Sequence, residues 1–93
     1  MILSLDASVR IPEHVLFREL LDGEAVVLDI VSGIYFGLDD VGTRVWQLLE
    51  EYQVLRRVLG VLGSEYDVAL PHLEADLLRF VDQLRAKGLV SLQ

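Results

Sequence analysis

Ala25-Val26-Val27-Leu28-Asp29-Ile30-Val31-Ser32-Gly33-Ile34-Tyr35-Phe36-Gly37-Leu38-Asp39-Asp40 is the stretch whose reading decides the fold. Its first six residues are rich in β-branched side chains, Ser32-Gly33 interrupts them, and Ile34 to Leu38 resume the same character, which is the pattern of two short strands around a tight connection. Asp39 and Asp40 then offer N-cap oxygens. From there the apolar positions change period to Val41, Val45, Leu48, Leu49 and Tyr52, the stripe of a helix over about 40 to 51. A hairpin that feeds directly into a helix sets the frame for the rest.

Upstream, Val15-Leu16-Phe17-Arg18-Glu19-Leu20 alternates weakly and ends at Asp22-Gly23, a turn signal, so it makes a first strand and completes a three-stranded meander. Residues 1 to 13, with Val9, Ile11 and Pro12, read as an extended lead-in. Downstream, Val54, Leu55, Val58, Leu59 and Leu62 predict a second helix ending at Gly63, weakened by Gly60. Pro71 suits the first position of a third helix, Glu74 and Asp76 suit its start, Arg85 and Lys87 its end, and Gly88 its stop. Leu73, Leu77, Phe80 and Leu84 form its core stripe, and Leu89-Val90-Ser91-Leu92 can return as an extended segment. A small meander needs one apolar face covered, and the helices supply the cover. The expected fold is a single α+β domain over residues 1–93, of winged-helix proportions, with a three-stranded antiparallel sheet packed on three helices.

The 93 residues suffice for one hydrophobic core, and an apolar content of 53% predicts an ordered one. No run approaches the length needed to span a bilayer and the start lacks a basic region and a cleavage site, so a soluble, cytoplasmic protein without membrane contact is expected. The absence of cysteine excludes disulfides and thiolate zinc sites. Fifteen acidic against eight basic residues give a formal charge of -7. Between Arg18 and Arg44 there is no base, while Glu19, Asp22, Glu24, Asp29, Asp39 and Asp40 fall there, a distribution that argues against nucleic acid, whose binders neutralise phosphates.

No constellation for catalysis is visible. His14 and His72 lie far apart without paired ligand spacing and read as surface residues. Ser32, Ser64 and Thr43 are explained by turns and a first helical turn, and the glycines are too scattered for a phosphate loop. Glu50-Glu51 and Asp39-Asp40 point apart on a helix or serve as caps. No metal, no cofactor and no enzymatic activity are expected. Trp46 and Tyr52 read as core. The informative anomaly is Ile34 to Leu38, which as the last strand of the meander exposes a backbone edge without the Lys, Pro or inward charge that blocks edge pairing. Such an edge either takes a peptide as an added strand or is protected by the N-terminal arm or a second copy.

Taken together, Leu28-Asp29, the Ser32-Gly33 turn, Tyr35-Phe36-x-Leu38-Asp39, Gly42, Trp46-x-Leu48-Leu49 and the late Leu84-x-x-x-Gly88-Leu89-Val90 resemble the PqqD-like family, the leader-peptide recognition domains of ribosomal peptide natural-product pathways. The small size looks most like the stand-alone members, including those of lasso peptide clusters. The resemblance implies a winged-helix-like fold that has lost DNA binding, and a leader peptide added along the third strand with side chains in a groove against the third helix. Carried over, Ile34, Tyr35, Phe36, Gly37 and Leu38 supply the ladder. By periodicity the flank Glu74, Leu78, Val81 and Arg85, with Leu77 at its border, is expected to line the groove. The implied partners are a precursor peptide and a processing enzyme, a leader peptidase in a lasso-type pathway or a radical-SAM enzyme in a quinone-cofactor pathway. The competing classes are a winged helix-turn-helix DNA-binding regulator, which requires a basic recognition helix, and a small hydrolase or metal-dependent enzyme.

Overall fold

The computed structural model describes residues 3–93, so the first two residues of the lead-in lie outside it. Five strands and three helices follow one another as β1 (Val9–Arg10), β2 (Val15–Glu19), β3 (Ala25–Asp29), β4 (Tyr35–Leu38), α1 (Asp40–Tyr52), α2 (Leu55–Glu65), α3 (Leu70–Ala86) and β5 (Ser91–Leu92). The expected α+β architecture of three helices and a three-stranded antiparallel sheet is observed, in the order β2-β3-β4.

The meander turns where the sequence places its breakers. After β2 a single turn of 3-10 helix over Leu21–Gly23 uses positive φ at both Asp22 and Gly23, a backbone region that Asp tolerates and Gly prefers. Along the paired strands, residues two apart share a face. The inner face carries Val15, Phe17, Ala25, Val27, Phe36 and Leu38, and the registers Val27↔Phe36 and Ala25↔Leu38 hold these last two strands flush. The outer face carries Leu16, Leu28 and Tyr35 in one row.

Below the inner face lies the core. Leu48, Leu55, Val58, Val81, Leu84 and Leu89 are wholly enclosed. Trp46 is buried as expected and stacks on Phe17, ring centroids 6.3 Å apart and planes within 9°, which fixes α1 beneath β2. Burying aromatic and branched side chains contributes roughly 1.5–3 kcal/mol each, and here they join the sheet and all three helices in one cluster.

The second helix differs from expectation at its C-terminal end. It runs through Gly63 to Glu65. A Cβ on Gly63 would lie 2.9 Å from the Leu70 side chain, so this glycine permits the close approach of the start of α3 and does not stop α2. At the other end, α2 has no capping side chain. Its free N–H groups are instead taken by the lead-in: Leu55 N–H donates to Ala7 O (3.1 Å) and Arg56 N–H to Leu5 O (2.8 Å). Backbone carbonyls thus perform the role of an N-cap. Arg56 also meets the Asp6 carboxylate.

The lead-in is more than an arm. Its β1 pairs with β5 through Val9↔Leu92 and Arg10↔Ser91, Val9 is buried, and Val9 N–H donates to Gln53 O at the end of α1. The terminal extended segment therefore forms, with a partner that the sequence reading did not assign to it. The helix α3 ends as anticipated: Gly88 takes φ +74, its N–H donates to Arg85 O, and Leu89 N–H reaches back to Leu84 O, the closing pattern that a left-handed residue permits.

A chain shortened to begin at Val9 loses two carbonyl caps and the packing of Leu3 and Leu5. We expect its unfolding free energy in urea to fall by about 1–3 kcal/mol, with secondary structure retained by circular dichroism.

Candidate functional site

The site is built on β4 and the turn that precedes it. Asp29 closes β3, and its carboxylate accepts hydrogen bonds from Val31 N–H (2.9 Å) and Ser32 N–H (3.1 Å). Gly33, at φ +78, donates to Asp29 O, and Ile34 N–H donates to the Ser32 hydroxyl oxygen. The Ser32 N–H is the chief cause that holds the Asp29 carboxyl below its ordinary pKa. Burial opposes it, and Val31 N–H and nearby His14 add to it. Three of the four turn N–H groups are thus anchored to Asp29, two through its carboxylate and one through its carbonyl.

That anchoring decides what the edge of β4 presents. Asp29 N–H donates to Ile34 O at 2.8 Å, which makes 29 and 34 a hydrogen-bonded pair. In an antiparallel ladder such pairs alternate. With Val27 opposite Phe36 and Leu28 opposite Tyr35, Phe36 directs its N–H and C=O to β3, while Tyr35 and Gly37 direct theirs away from it. β4 is the last strand of the sheet, so the groups of Tyr35 and Gly37 are its open edge. Neither residue hydrogen-bonds through its backbone to a turn, loop or cap among the described residues. Gly37 adds no side chain to obstruct the approach, and nothing lies within 4 Å of the place its Cβ would take.

Beside this edge a groove opens against α3. Phe36 turns inward and meets Phe80 edge-on, centroids 6.3 Å apart and planes at 74°. Phe36, Gly37, Leu38 and Asp39 on one side and Phe80 and Gln83 on the other enclose a shallow depression. Lys87 Nζ stands 5.8 Å from the centre of the Phe36 ring. The groove continues past the N-terminus of α1 into a second hollow whose floor includes Val41, Val45, Leu73 and Leu77. Asp39 holds the junction: its side chain accepts from Gly42 N–H at 2.7 Å, and its carbonyl accepts from Thr43 N–H. The predicted N-cap is therefore also the corner of the groove.

The structure brings together only part of the predicted set. Phe36, Gly37 and Leu38 adjoin the groove, Tyr35 lies on the edge with its ring on the outer face, and Ile34 precedes the strand. Leu77 belongs to the second hollow. Val81, expected on the groove flank, is wholly buried and forms part of the core. Phe80, expected in the core stripe, is partly buried against the core and also meets Phe36 at the groove. At about 100° per residue, Phe80, Gln83 and Lys87 lie on one side of the line Leu77–Val81–Leu84, whereas Glu74, Leu78 and Arg85 lie on the other. Leu78, partly buried against the core as Phe80 is, lies on the side of α3 away from Phe36, and Arg85 is engaged with Asp82 one turn back. Periodicity identified the apolar stripe but left its rotation towards β4 undetermined, and only the Phe36–Phe80 contact fixes it.

Among the described residues no group of three or more His, Asp or Glu side chains is placed to hold a metal ion. His14 lies with Nε2 3.6 Å from Asp29 Oδ2. No described helix is long and apolar enough to cross a membrane. The two adjacent bases of α2 are both occupied, Arg56 by Asp6 and Arg57 by the Tyr52 ring, 5.5 Å from its centre.

Three helices under a three-stranded meander define a small α+β domain whose last strand leaves its edge open beside an aromatic groove. Residues 24–90 match the family described as coenzyme PQQ synthesis protein D (PqqD), and the chain belongs to that family. Among solved structures it is similar to TbiB1 in complex with the TbiA(beta) leader peptide, with 38% identity over 88% of this chain and 94% of the other and a TM-score of 0.81. It is also similar to a lasso peptide synthetase B1 complexed with the leader peptide, with 25% identity over 90% and 98% of the two chains and a TM-score of 0.69. No curated protein matches the chain by sequence.

Replacing Asp29 by Ala removes the anchor of the β3–β4 turn, and the melting temperature at pH 7 should fall. Because the folded carboxyl has a depressed pKa, its stabilisation is present above the unfolded value and lost as pH falls through the folded one. The gap in melting temperature between wild type and Asp29→Ala should therefore hold from pH 7 down to about pH 4, near the unfolded value, and narrow below it.

Proposed function

We propose that this domain binds the leader segment of a ribosomally made precursor peptide as an added strand along β4 and presents the remainder to a processing enzyme such as a leader peptidase. The observation that carries the reading is the outward N–H and C=O groups of Tyr35 and Gly37, flanked by the Phe36–Phe80 groove, in a chain 38% identical to TbiB1, whose structure was solved with a leader peptide. Backbone groups of this kind give a peptide register and affinity without regard to its sequence, and pockets for alternate side chains give selectivity.

The domain itself performs no chemistry. It acts by raising the local concentration of a flexible substrate beside the enzyme that cleaves or modifies it. Aromatic anchors in a groove carry most of the binding energy in such interfaces, which assigns the principal contacts to Phe36 and Phe80, with Leu38 and Gln83 beside them. The ladder residues are Tyr35 and Gly37; the backbone groups of Ile34, predicted for the ladder, are engaged with Asp29 and Ser32. Of the opposite flank of α3, Glu74, Leu78 and Arg85 are assigned no contact with the leader. Cytoplasmic residence, where precursor peptides are made, fits the same reading. The DNA-binding alternative has no comparable support, since α2 offers no unoccupied pair of bases.

Fluorescence anisotropy with labelled TbiA(beta) leader peptide tests the ladder directly. N-methylation of leader residues should abolish binding at alternate positions of the bound segment and be tolerated at those between, since only every second peptide N–H faces β4. Uniform tolerance along the segment would exclude strand addition. Phe80→Ala should weaken binding by about tenfold or more, as hot-spot truncations do, whereas Glu74→Ala should leave it within about twofold.

A further inference from the structure

The groove has an electrical direction. At the α1 end it carries Asp39 and Asp76, the latter paired with Arg79 at 3.0 Å. At the other end stands Lys87, the chain's one lysine, with its ammonium over the face of Phe36. Arg44, Arg56, Arg79 and Arg85 each meet a carboxylate of the chain, whereas Lys87 has none within 4.0 Å among the described residues; Arg10, Arg18 and Arg57 also lack one but do not line the groove. In a chain of net charge -7 an exposed ammonium without an acidic neighbour marks a place where an incoming carboxylate meets attraction instead of repulsion.

We propose that Lys87 selects, in the bound peptide, an acidic side chain facing the groove beside Phe36. This deepens the leader-binding reading and rests on it. A strand added to β4 pairs its backbone with Tyr35 and Gly37, so the residue between those pairing positions lies opposite Phe36 and shares its face. Its side chain enters the groove beneath the Lys87 ammonium. The Phe36 ring already holds that ammonium by cation–π attraction, so the charge is positioned before the peptide arrives. A carboxylate there gains an ion pair partly shielded by two aromatic rings. A basic residue at the same position faces Lys87 directly, and its natural place is two or four residues along, towards Asp39 and Asp76.

The test is a positional scan of labelled TbiA(beta) leader peptide in which each residue of the bound segment is replaced in turn by Glu, Gln or Lys. Each peptide is titrated against wild type, Lys87→Met, which keeps the apolar stem over Phe36, and Lys87→Glu. At one position Glu should bind wild type about three- to fivefold tighter than Gln, Lys87→Met should erase that preference, and Lys87→Glu should invert it in favour of Lys. The preference should shrink as salt rises. Binding without any position at which the preference inverts overturns the assignment of Lys87 and leaves leader capture standing. If no peptide of the scan binds, or if binding is unaffected by Phe36→Asp, the leader-binding reading is overturned and the inference with it.

Discussion

A single hydrogen bond, from Asp29 N–H to Ile34 O, sets the parity on which the rest of the molecule depends. Once 29 and 34 are a bonded pair, the alternation of an antiparallel ladder dictates that Phe36 and Leu38 face the helices with their backbone groups turned to β3, and that Tyr35 and Gly37 face outward with theirs turned to solvent. A slip of one residue would exchange every one of these roles. It would put Phe36 on the outer face, remove its contact with Phe80, and leave the groove without a wall. The Asp29 carboxylate and the left-handed Gly33 guard that register by tying the turn to itself.

The same parity explains how one short strand serves two purposes. Its inner side chains complete the core, with Leu38 buried in contact with the cluster that includes Val27 and Trp46. Its backbone, at the same residues or their neighbours, stays open on one side. The cost of an open edge is the risk of promiscuous pairing. Here the strand is only four residues long, and Asp39 converts the chain to helix immediately afterwards, so the exposed ladder offers just two outward-facing residues.

Much of this was legible in the residues. The breaks at Asp22-Gly23 and Ser32-Gly33, the cap at Asp39, the burial of Trp46 and the stop at Gly88 all lie where local chemistry demands them, because each depends on neighbours within a few positions. What escaped was non-local. The rotation of α3 about its axis cannot be read from an apolar stripe, since Phe80 and Val81 are both apolar and only the sheet decides which is enclosed. Gly63 carries the signature of a helix end, yet it is retained inside α2 by the approach of Leu70. The caps of α2 are main-chain carbonyls from about fifty positions away, a device with no side-chain signature at all. Lys87 was legible as a base suited to a helix C-terminus, but its position over Phe36 depends on the hairpin that lies far upstream.

If peptides are added to the β4 edge as strands, its alternation also bears on how their sequences change over evolutionary time. Half of their side chains would enter the groove against Phe36 and Phe80, and the other half would lie with Tyr35 and Gly37 on the outer face of the sheet. Purifying selection by this domain would then act with a period of two. The inward positions would be held to shapes and charges the groove accepts, while the outward ones would be left to drift or to be recruited by whatever enzyme works on the assembled pair.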